Sequence, residues 1–283
     1  MILIIGGSGF IGTRICKRLA NDKVQFTIVD KVISRTFPER TVQCDIRNLD
    51  DLCKKLRGDV IINLAAEHRD DVTPRSLYDE VNVQGAKNVC AAAERNYIDT
   101  IVFTSSVAVY GFAPVGTDET GEIHYFNDYG RTKSEAEKVY RAWFEKDPEH
   151  RKLVIVRPTV VFGEQNRGNV YNLLKQISSS VFMMVGSGNN IKSMAYVENV
   201  AAFLEYTLSF DRGFYLYNYV DKPDFDMNAL VKTVYDQLGR KPLIRLHLPY
   251  WMGYAGGKLF DLLALISQKK FTISSIRIKK FCE

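Results

Sequence analysis

Met1-Ile2-Leu3-Ile4-Ile5-Gly6-Gly7-Ser8-Gly9-Phe10-Ile11-Gly12 opens the chain, and its reading decides the fold. An all-apolar run of this length suits a parallel strand buried on both faces. The glycines that follow satisfy G-x-G-x-x-G, and residues 11–21 continue as a helix with Ile11, Ile15 and Leu19 on one face. A tight glycine turn between strand and helix brings backbone N–H groups and the positive end of the helix dipole to one point, which favours a phosphate. Gly6 permits the turn, Gly9 lets an anion approach the backbone, and Gly12 lets the helix pack closely. Asp30 ends the next strand (25–30), 18 residues after Gly12, where a carboxylate reaches the ribose of an adenine dinucleotide. The expected dinucleotide contacts are therefore Gly6, Gly9, Phe10, Ile11, Gly12 and Asp30. Asp30 would repel a 2′-phosphate and so favours NAD, whereas Lys31 beside it would tolerate NADP.

The alternation continues. Strands are expected at 41–44, 59–65, 100–106 and 153–158, and helices at 48–57, 77–95 and 129–146. This pattern predicts a doubly wound α/β fold around a parallel sheet. Beyond residue 160 the pattern loosens into helices at 169–179, 197–208 and 227–238 with strands at 215–220 and 242–249. The expected division is a dinucleotide-binding domain over 1–160 and a smaller substrate lobe over 161–283.

Composition narrows the classes. Hydrophobic residues make up 46% and charged residues 25% of 283, which are ordinary globular proportions. Cys16, Cys44, Cys53, Cys90 and Cys282 are scattered without a C-x-x-C pair, so neither a disulfide framework nor a zinc site is expected. The N-terminus has no basic leader and no stretch reaches the length of a membrane span, which predicts a cytoplasmic protein. The net charge is +5, but residues 240–283 carry +7 and the remainder −2. That distribution and the lack of a recognition motif argue against nucleic acid.

Further polar candidates lie at the carboxyl ends of strands, where ligands bind in this architecture. Asp45, followed by Ile46, is placed to accept from an adenine amino group or to cap a turn. Leu64, Ala65 and Ala66 in NLAA are small or apolar where bulk would block a cofactor, or simply allow tight packing. His68, in the polar run Glu67-His68-Arg69-Asp70-Asp71, faces the same edge or sits in a solvated loop. Tyr129 and Lys133 form Y-x-x-x-K, sharing a helix face, either as a surface pair or as a site where an ammonium near the phenol lowers its pKa and makes it a general base. The hydroxyls of Thr104, Ser105 and Ser106 end the preceding strand and are placed to hydrogen-bond the oxygen that Tyr129 deprotonates.

GGSGFIG, Asp30, NLAA, TSSVAVYG and YGRTK together resemble the extended short-chain dehydrogenase/reductase family of nucleotide-sugar epimerases and dehydratases, built on the Rossmann fold. The resemblance runs from Met1 to about Val200. It implies bound NAD, a catalytic base at Tyr129, its partner at Lys133 and a hydrogen-bonding hydroxyl at Ser106. Asn82, in VNVQG, matches a family asparagine near the cofactor; a helix-packing role is the alternative. Dehydratases of the family carry Asp-Glu after the serine, where this chain has Val107-Ala108, which argues against dehydration. A narrower resemblance, through AAEHRDDV, FMMVGSGNNIKSMAYVENV and RIKKFC, is to bacterial C4-epimerases that convert N-acetylglucosamine to N-acetylgalactosamine on undecaprenyl diphosphate, at the start of some O-antigen units. It implies a lipid-linked sugar-diphosphate substrate, with Lys192 and Asn169 as substrate ligands and Arg167 and Asn166 as further candidates. Members of that group continue beyond the Phe-Cys near the end, so a truncated or divergent terminus is expected here. The same residues would serve a UDP-hexose or UDP-HexNAc 4-epimerase, or a 4-ketoreductase. The apolar, aromatic stretch from Pro249 to Ile266, followed by Lys269, Lys270, Arg277, Lys279 and Lys280, reads as a segment lying on an anionic membrane surface near 249–280, or as a core helix with a basic tail. A peripheral contact with the inner face of the membrane and a homodimer stay open, and no metal is expected.

Overall fold

In the computed structural model β1 (Ile2–Ile5) is buried at every residue, as a strand covered on both faces must be. Residues 1–69, 72–179, 182–240, 247–267 and 275 are described. The chain runs on through α1 (Phe10–Asn21), β2 (Phe26–Asp30), β3 (Thr41–Gln43), α2 (Leu49–Lys55), β4 (Val60–Asn63), α3 (Gly85–Arg95), β5 (Thr100–Thr104), α4 (Asp128–Glu145) and β6 (Lys152–Pro158). It continues with α5 (Asn169–Ser178), α6 (Val197–Tyr206), β7 (Gly213–Tyr219), α7 (Met227–Gln237) and α8 (Tyr250–Ser267).

The main sheet has seven strands in the order β7-β6-β5-β4-β1-β2-β3, paired in parallel throughout. The winding reverses between β1 and β4, and the crevice of such a sheet opens at the carboxyl ends of those strands. Successive side chains point to opposite faces. Leu3, Ile5, Ile61, Ile101, Phe103 and Ile155 pack with Ala86, Val89, Tyr140 and Trp143 of α3 and α4. Ile2, Ile4, Ile28, Ile62, Val102 and Val154 pack with Ile15 and Leu19 of α1 and Val200 and Leu204 of α6. Each fully buried aliphatic side chain stabilises the fold by about 1.5–3 kcal/mol, so these two layers hold the sheet on which the site is built.

The chain divides into two compact units, Met1–Asn166 with Ala195–Asp221 and Arg167–Met194 with Lys222–Glu283. A single cut near residue 160 does not describe this, because residues 195–221 return to the first unit. The physical reason is plain in β7, expected in the smaller lobe at 215–220. It pairs in parallel with β6 from Gly213↔Lys152 to Tyr219↔Pro158 and extends the main sheet. Arg14 and Arg18 of α1 also tie α6 down, through Glu198 at 2.9 Å and Glu205 at 2.7 Å. The helix expected over 77–95 is interrupted too: Asp79–Gln84 is π-helical before α3 begins.

In the second unit α5 packs on α7. Ile191–Lys192 pairs antiparallel with Phe225–Asp226, and Met184–Val185 pairs parallel with His247–Leu248. Of the strand expected at 242–249, residues 242–246 lie outside the described residues, as do Asp70, Asp71, Cys282 and the basic positions 269, 270, 277, 279 and 280. Among the described residues no helix is long and apolar enough to cross a membrane.

Candidate active site

The turn after β1 is built around close approach. Gly6 has φ 77°, and a β-carbon there would lie 2.7 Å from the backbone nitrogen of Ala65. Its N–H donates to Val29 O at 3.0 Å, and the Gly9 N–H donates back to Gly6 O at 3.1 Å. At Gly12 a β-carbon would lie 2.5 Å from the Gly7 Cα, so α1 starts hard against the turn. Gly9, by contrast, is exposed, and a β-carbon there would meet only Gly6 O. No side chain caps α1, which leaves the N–H groups of its first turn, including those of Phe10 and Ile11, for an outside acceptor. Asp30 ends β2 with its carboxylate accepting from the Ser8 and Val32 N–H groups, each at 3.0 Å. A carboxylate has about four lone-pair sites, so capacity remains for hydroxyl donors. Leu64, Ala65 and Ala66 are half-buried opposite the turn, with the Ala65 N–H bonded to Asn63 Oδ1 at 3.0 Å. An open glycine cradle, an uncapped helix start and a carboxylate one strand away fit an adenine dinucleotide with its pyrophosphate at α1.

Other sequence candidates are placed differently. Asp45 is held by Arg47, whose Nη2 lies 2.7 Å away, and this guanidinium keeps the carboxyl below the usual carboxylate range. Ile46 belongs to the core, and its carbonyl accepts from Asn88 at 2.8 Å. Asn82, 5% exposed, gives its amide to protein partners: Oδ1 accepts from the Glu67 N–H at 2.8 Å, and Nδ2 donates to Glu67 O at 3.0 Å and Thr132 Oγ1 at 2.9 Å. It therefore fastens the loop after β4 to α4. His68 is exposed in that loop. Asn169 is the exposed first residue of α5, Lys192 is half-buried in its short strand, and Arg167 lies 5.9 Å from the Tyr171 ring; all three belong to the second unit.

At the carboxyl end of β5 the structure brings Ser106, Tyr129 and Lys133 together. Ser106 caps the turn Val107–Tyr110 by accepting from the Ala108 N–H at 3.2 Å. Asn127 caps α4 by accepting from the Gly130 N–H at 2.8 Å, which sets Tyr129 in the first turn and Lys133 one turn on. Ser106 stands close enough to Tyr129 for its hydroxyl to ease ionisation of the phenol. Lys133, 2% exposed, donates to the Thr104 carbonyl at 2.7 Å and stands 6.0 Å from the Tyr129 ring centroid. The expected lowering of the phenol is not what the protein alone produces. Burial pushes the Tyr129 phenol up to about 12, the Ser106 hydroxyl opposing it, and burial pushes Lys133 down to about 7 with Glu137 opposing it. Burial disfavours the charged form of each group.

Sequence reading passed over two residues beneath this trio. Glu137 and Arg157 form a buried ion pair, with Nε–Oε1 at 2.8 Å and Nη2–Oε2 at 2.5 Å. The signals were present: Glu137 lies one helical turn after Lys133, and Arg157 is a lone charge in the otherwise apolar run of 153–158.

A model of the NAD dependent epimerase/dehydratase family matches residues 2–215. The chain is 52% identical over 285 residues to the N-acetyl-alpha-D-glucosaminyl-diphospho-ditrans,octacis-undecaprenol 4-epimerase of Escherichia coli O157:H7, a match that covers 99% of this chain and 85% of that protein. It is 28% identical over 284 residues to the UDP-glucose 4-epimerase of Vibrio cholerae, covering 96% and 86%. Among solved structures, the UDP-N-acetylglucosamine 4-epimerase from Bacillus cereus superposes with a TM-score of 0.76 at 18% identity, covering 88% of this chain and 85% of that one, which speaks for the fold. Since the family match runs unbroken from the glycine turn through β5 and α4 to β7, this chain belongs to the NAD dependent epimerase/dehydratase family, and its cofactor is NAD.

Proposed function

We propose that this chain inverts C4 of N-acetylglucosamine to give N-acetylgalactosamine while the sugar is carried on undecaprenyl diphosphate. The observation that carries the reaction type is the meeting of Ser106, Tyr129 and Lys133 at the carboxyl end of β5, two strands from the glycine turn. The substrate class rests on the 52% identity to an enzyme named for it. Gly6, Gly9, Gly12 and the start of α1 hold the pyrophosphate of NAD, and Asp30 binds the adenosine ribose. When bound, NAD supplies a hydride acceptor at C4 that also gives the hydride back, so the cycle is redox-neutral. Tyr129 takes the proton of the C4 hydroxyl and later returns it. Ser106 hydrogen-bonds the C4 oxygen throughout, and Lys133 supplies the positive charge that favours the phenolate. Exchange of the sugar face between the two transfers produces the inversion.

A polyprenyl substrate draws the enzyme to a membrane surface, and α8 is suited to lie on one. Trp251 is 70% and Leu259 57% exposed, Tyr250 and Met252 are also exposed, and Lys258 stands 5.6 Å from the Tyr254 ring. Apolar and aromatic side chains beside a cation describe an interfacial helix.

The test incubates the purified protein, without added cofactor, with N-acetylglucosaminyl-diphospho-undecaprenol and separately with UDP-N-acetylglucosamine. Conversion of the lipid-linked sugar alone is expected. Conversion of the UDP-sugar instead moves the substrate to a soluble nucleotide sugar, and turnover only of a keto sugar with added NADPH replaces epimerisation by ketoreduction. Tyr129→Phe is expected to lower turnover by a factor on the order of 10³, within the usual range for loss of a general base, while NAD still binds. Undiminished turnover in that variant discards Tyr129 as the base.

A further inference from the structure

The buried charges beneath the catalytic trio are more than packing. The Glu137 carboxylate, 8% exposed, receives three hydrogen bonds: two from Arg157 and one from the Ser105 hydroxyl, which reaches Oε1 at 2.5 Å. Arg157, 5% exposed, passes the link to the Tyr110 hydroxyl at 2.5 Å, and Tyr110 donates to Asn218 of β7 at 2.9 Å. One carboxylate thus joins α4, the end of β5, β6 and, through Tyr110, the turn that Ser106 caps. Its sequence neighbours in this web are informative. Thr104, whose carbonyl receives Lys133, Ser105, which donates to Glu137, and Ser106, whose hydroxyl acts on the Tyr129 phenol, are consecutive.

We propose that Glu137 is a positioning residue for catalysis: its carboxylate, fixed by Arg157 and Ser105, holds the strand end 104–106 in register with α4 and serves as the counter-charge of the Lys133–Tyr129 pair. The inference rests on the reading of Tyr129 as base with Lys133 as partner. Among the described residues, the groups facing that pair come from every element packed on it. Tyr129 and Glu137 belong to α4, the Thr104 carbonyl and the Phe103 ring (4.7 Å from Lys133 Nζ) to β5, Arg157 to β6 behind Glu137, and Tyr78 to the turn before the π-helical stretch. Only Glu137 is negative. Burial favours an uncharged lysine, and Glu137 is the group that counters it.

The sign follows from charge alone. Whichever member of the pair gives up the first proton, the pair passes from +1 to 0, and a neighbouring carboxylate opposes that loss. Removing the carboxylate therefore lowers the first apparent pKa of the pair. That pKa sets the acid limb of kcat/KM, because the base must be free of its proton to act.

The experiment uses the NAD-loaded full chain. In Glu137→Gln the acid limb is expected to move about one pH unit lower, and in Glu137→Asp to return most of the way. If Glu137→Gln does not fold, Glu137→Leu with Arg157→Met replaces the ion pair by apolar groups, a change that buried pairs often tolerate, and the limb is expected to move in the same direction. Ser105→Ala is expected to lower kcat several-fold with the limb unmoved. An acid limb unchanged in the folded Glu137 variants, while Tyr129→Phe is inactive, overturns this inference and leaves the catalytic reading standing. Activity retained in Tyr129→Phe overturns the reading itself.

Discussion

Lys133 is the residue at which cost and use meet. A cation that is 2% exposed has lost most of its hydration, and its pKa falls to about 7 from an ordinary 10.5. Between those two values the unfolded chain binds more protons than the folded one, so this residue's contribution to stability rises with pH across that window. Below about 7 the protonated lysine carries the whole penalty of its burial. Lys133→Met removes the titration. Relative to the natural protein it is expected to unfold at a higher temperature near pH 6 than near pH 9, while turnover is lost. Thermal unfolding at the two pH values measures this, and a difference that does not vary with pH would sink the account of the shift. Tyr129 runs the other way: its phenol, pushed up to about 12, stays protonated in the folded protein where an exposed tyrosine would ionise. The sequence pattern Y-x-x-x-K named both residues correctly as neighbours on one face. It was silent on desolvation, because the depth of a side chain depends on what other elements cover it.

At the level of elements, the site depends on how closely α4 starts against the turn that holds Ser106. Gly130 makes that approach possible: a β-carbon there would lie 2.3 Å from the carbonyl oxygen of Ala108. Backbone cannot yield as a flexible side chain can, so Gly130→Ala must push the first turn of α4, with Tyr129, away from Ser106. Overpacking of this kind destabilises by about 1–3 kcal/mol. The variant is expected to lose that much in denaturant unfolding and to show a lower kcat, while NAD content after purification is unchanged because the glycine cradle is elsewhere. Retained kcat would mean that Tyr129 and Ser106 do not need this contact. The helix starting near Tyr129 was legible in its charged run, but the role of Gly130 was not, because its partner, Ala108, precedes it by a loop whose path the local pattern does not specify. The π-helical stretch Asp79–Gln84 was hidden for a similar reason. It lies where Asn82 bridges the loop after β4 and Thr132 of α4, a contact over 50 residues.

For the molecule as a whole, the proposed membrane contact of α8 can be tested on its exposed face. Trp251→Ala combined with Leu259→Ala removes two of its most exposed apolar side chains. Burying such groups is worth about 1.5–3 kcal/mol each, so binding to phosphatidylglycerol vesicles is expected to weaken roughly tenfold or more in co-sedimentation. Equal partitioning of the variant and the natural protein would count against a membrane-surface role for this helix. The alternation of apolar strands with amphipathic helices, the glycine turn and Asp30 by themselves determined the doubly wound sheet and its dinucleotide crevice. Those features are local: each follows from side-chain period, backbone freedom or spacing within a few tens of residues. Only the tertiary structure decided that β7 returns from beyond residue 200 to join the main sheet, that Asn82 fastens a loop to α4, and that Glu137, Arg157 and Ser105 meet beneath the trio. These are contacts between segments far apart in the chain, and burial, which sets both the charges and the partners there, is a property that no single segment carries.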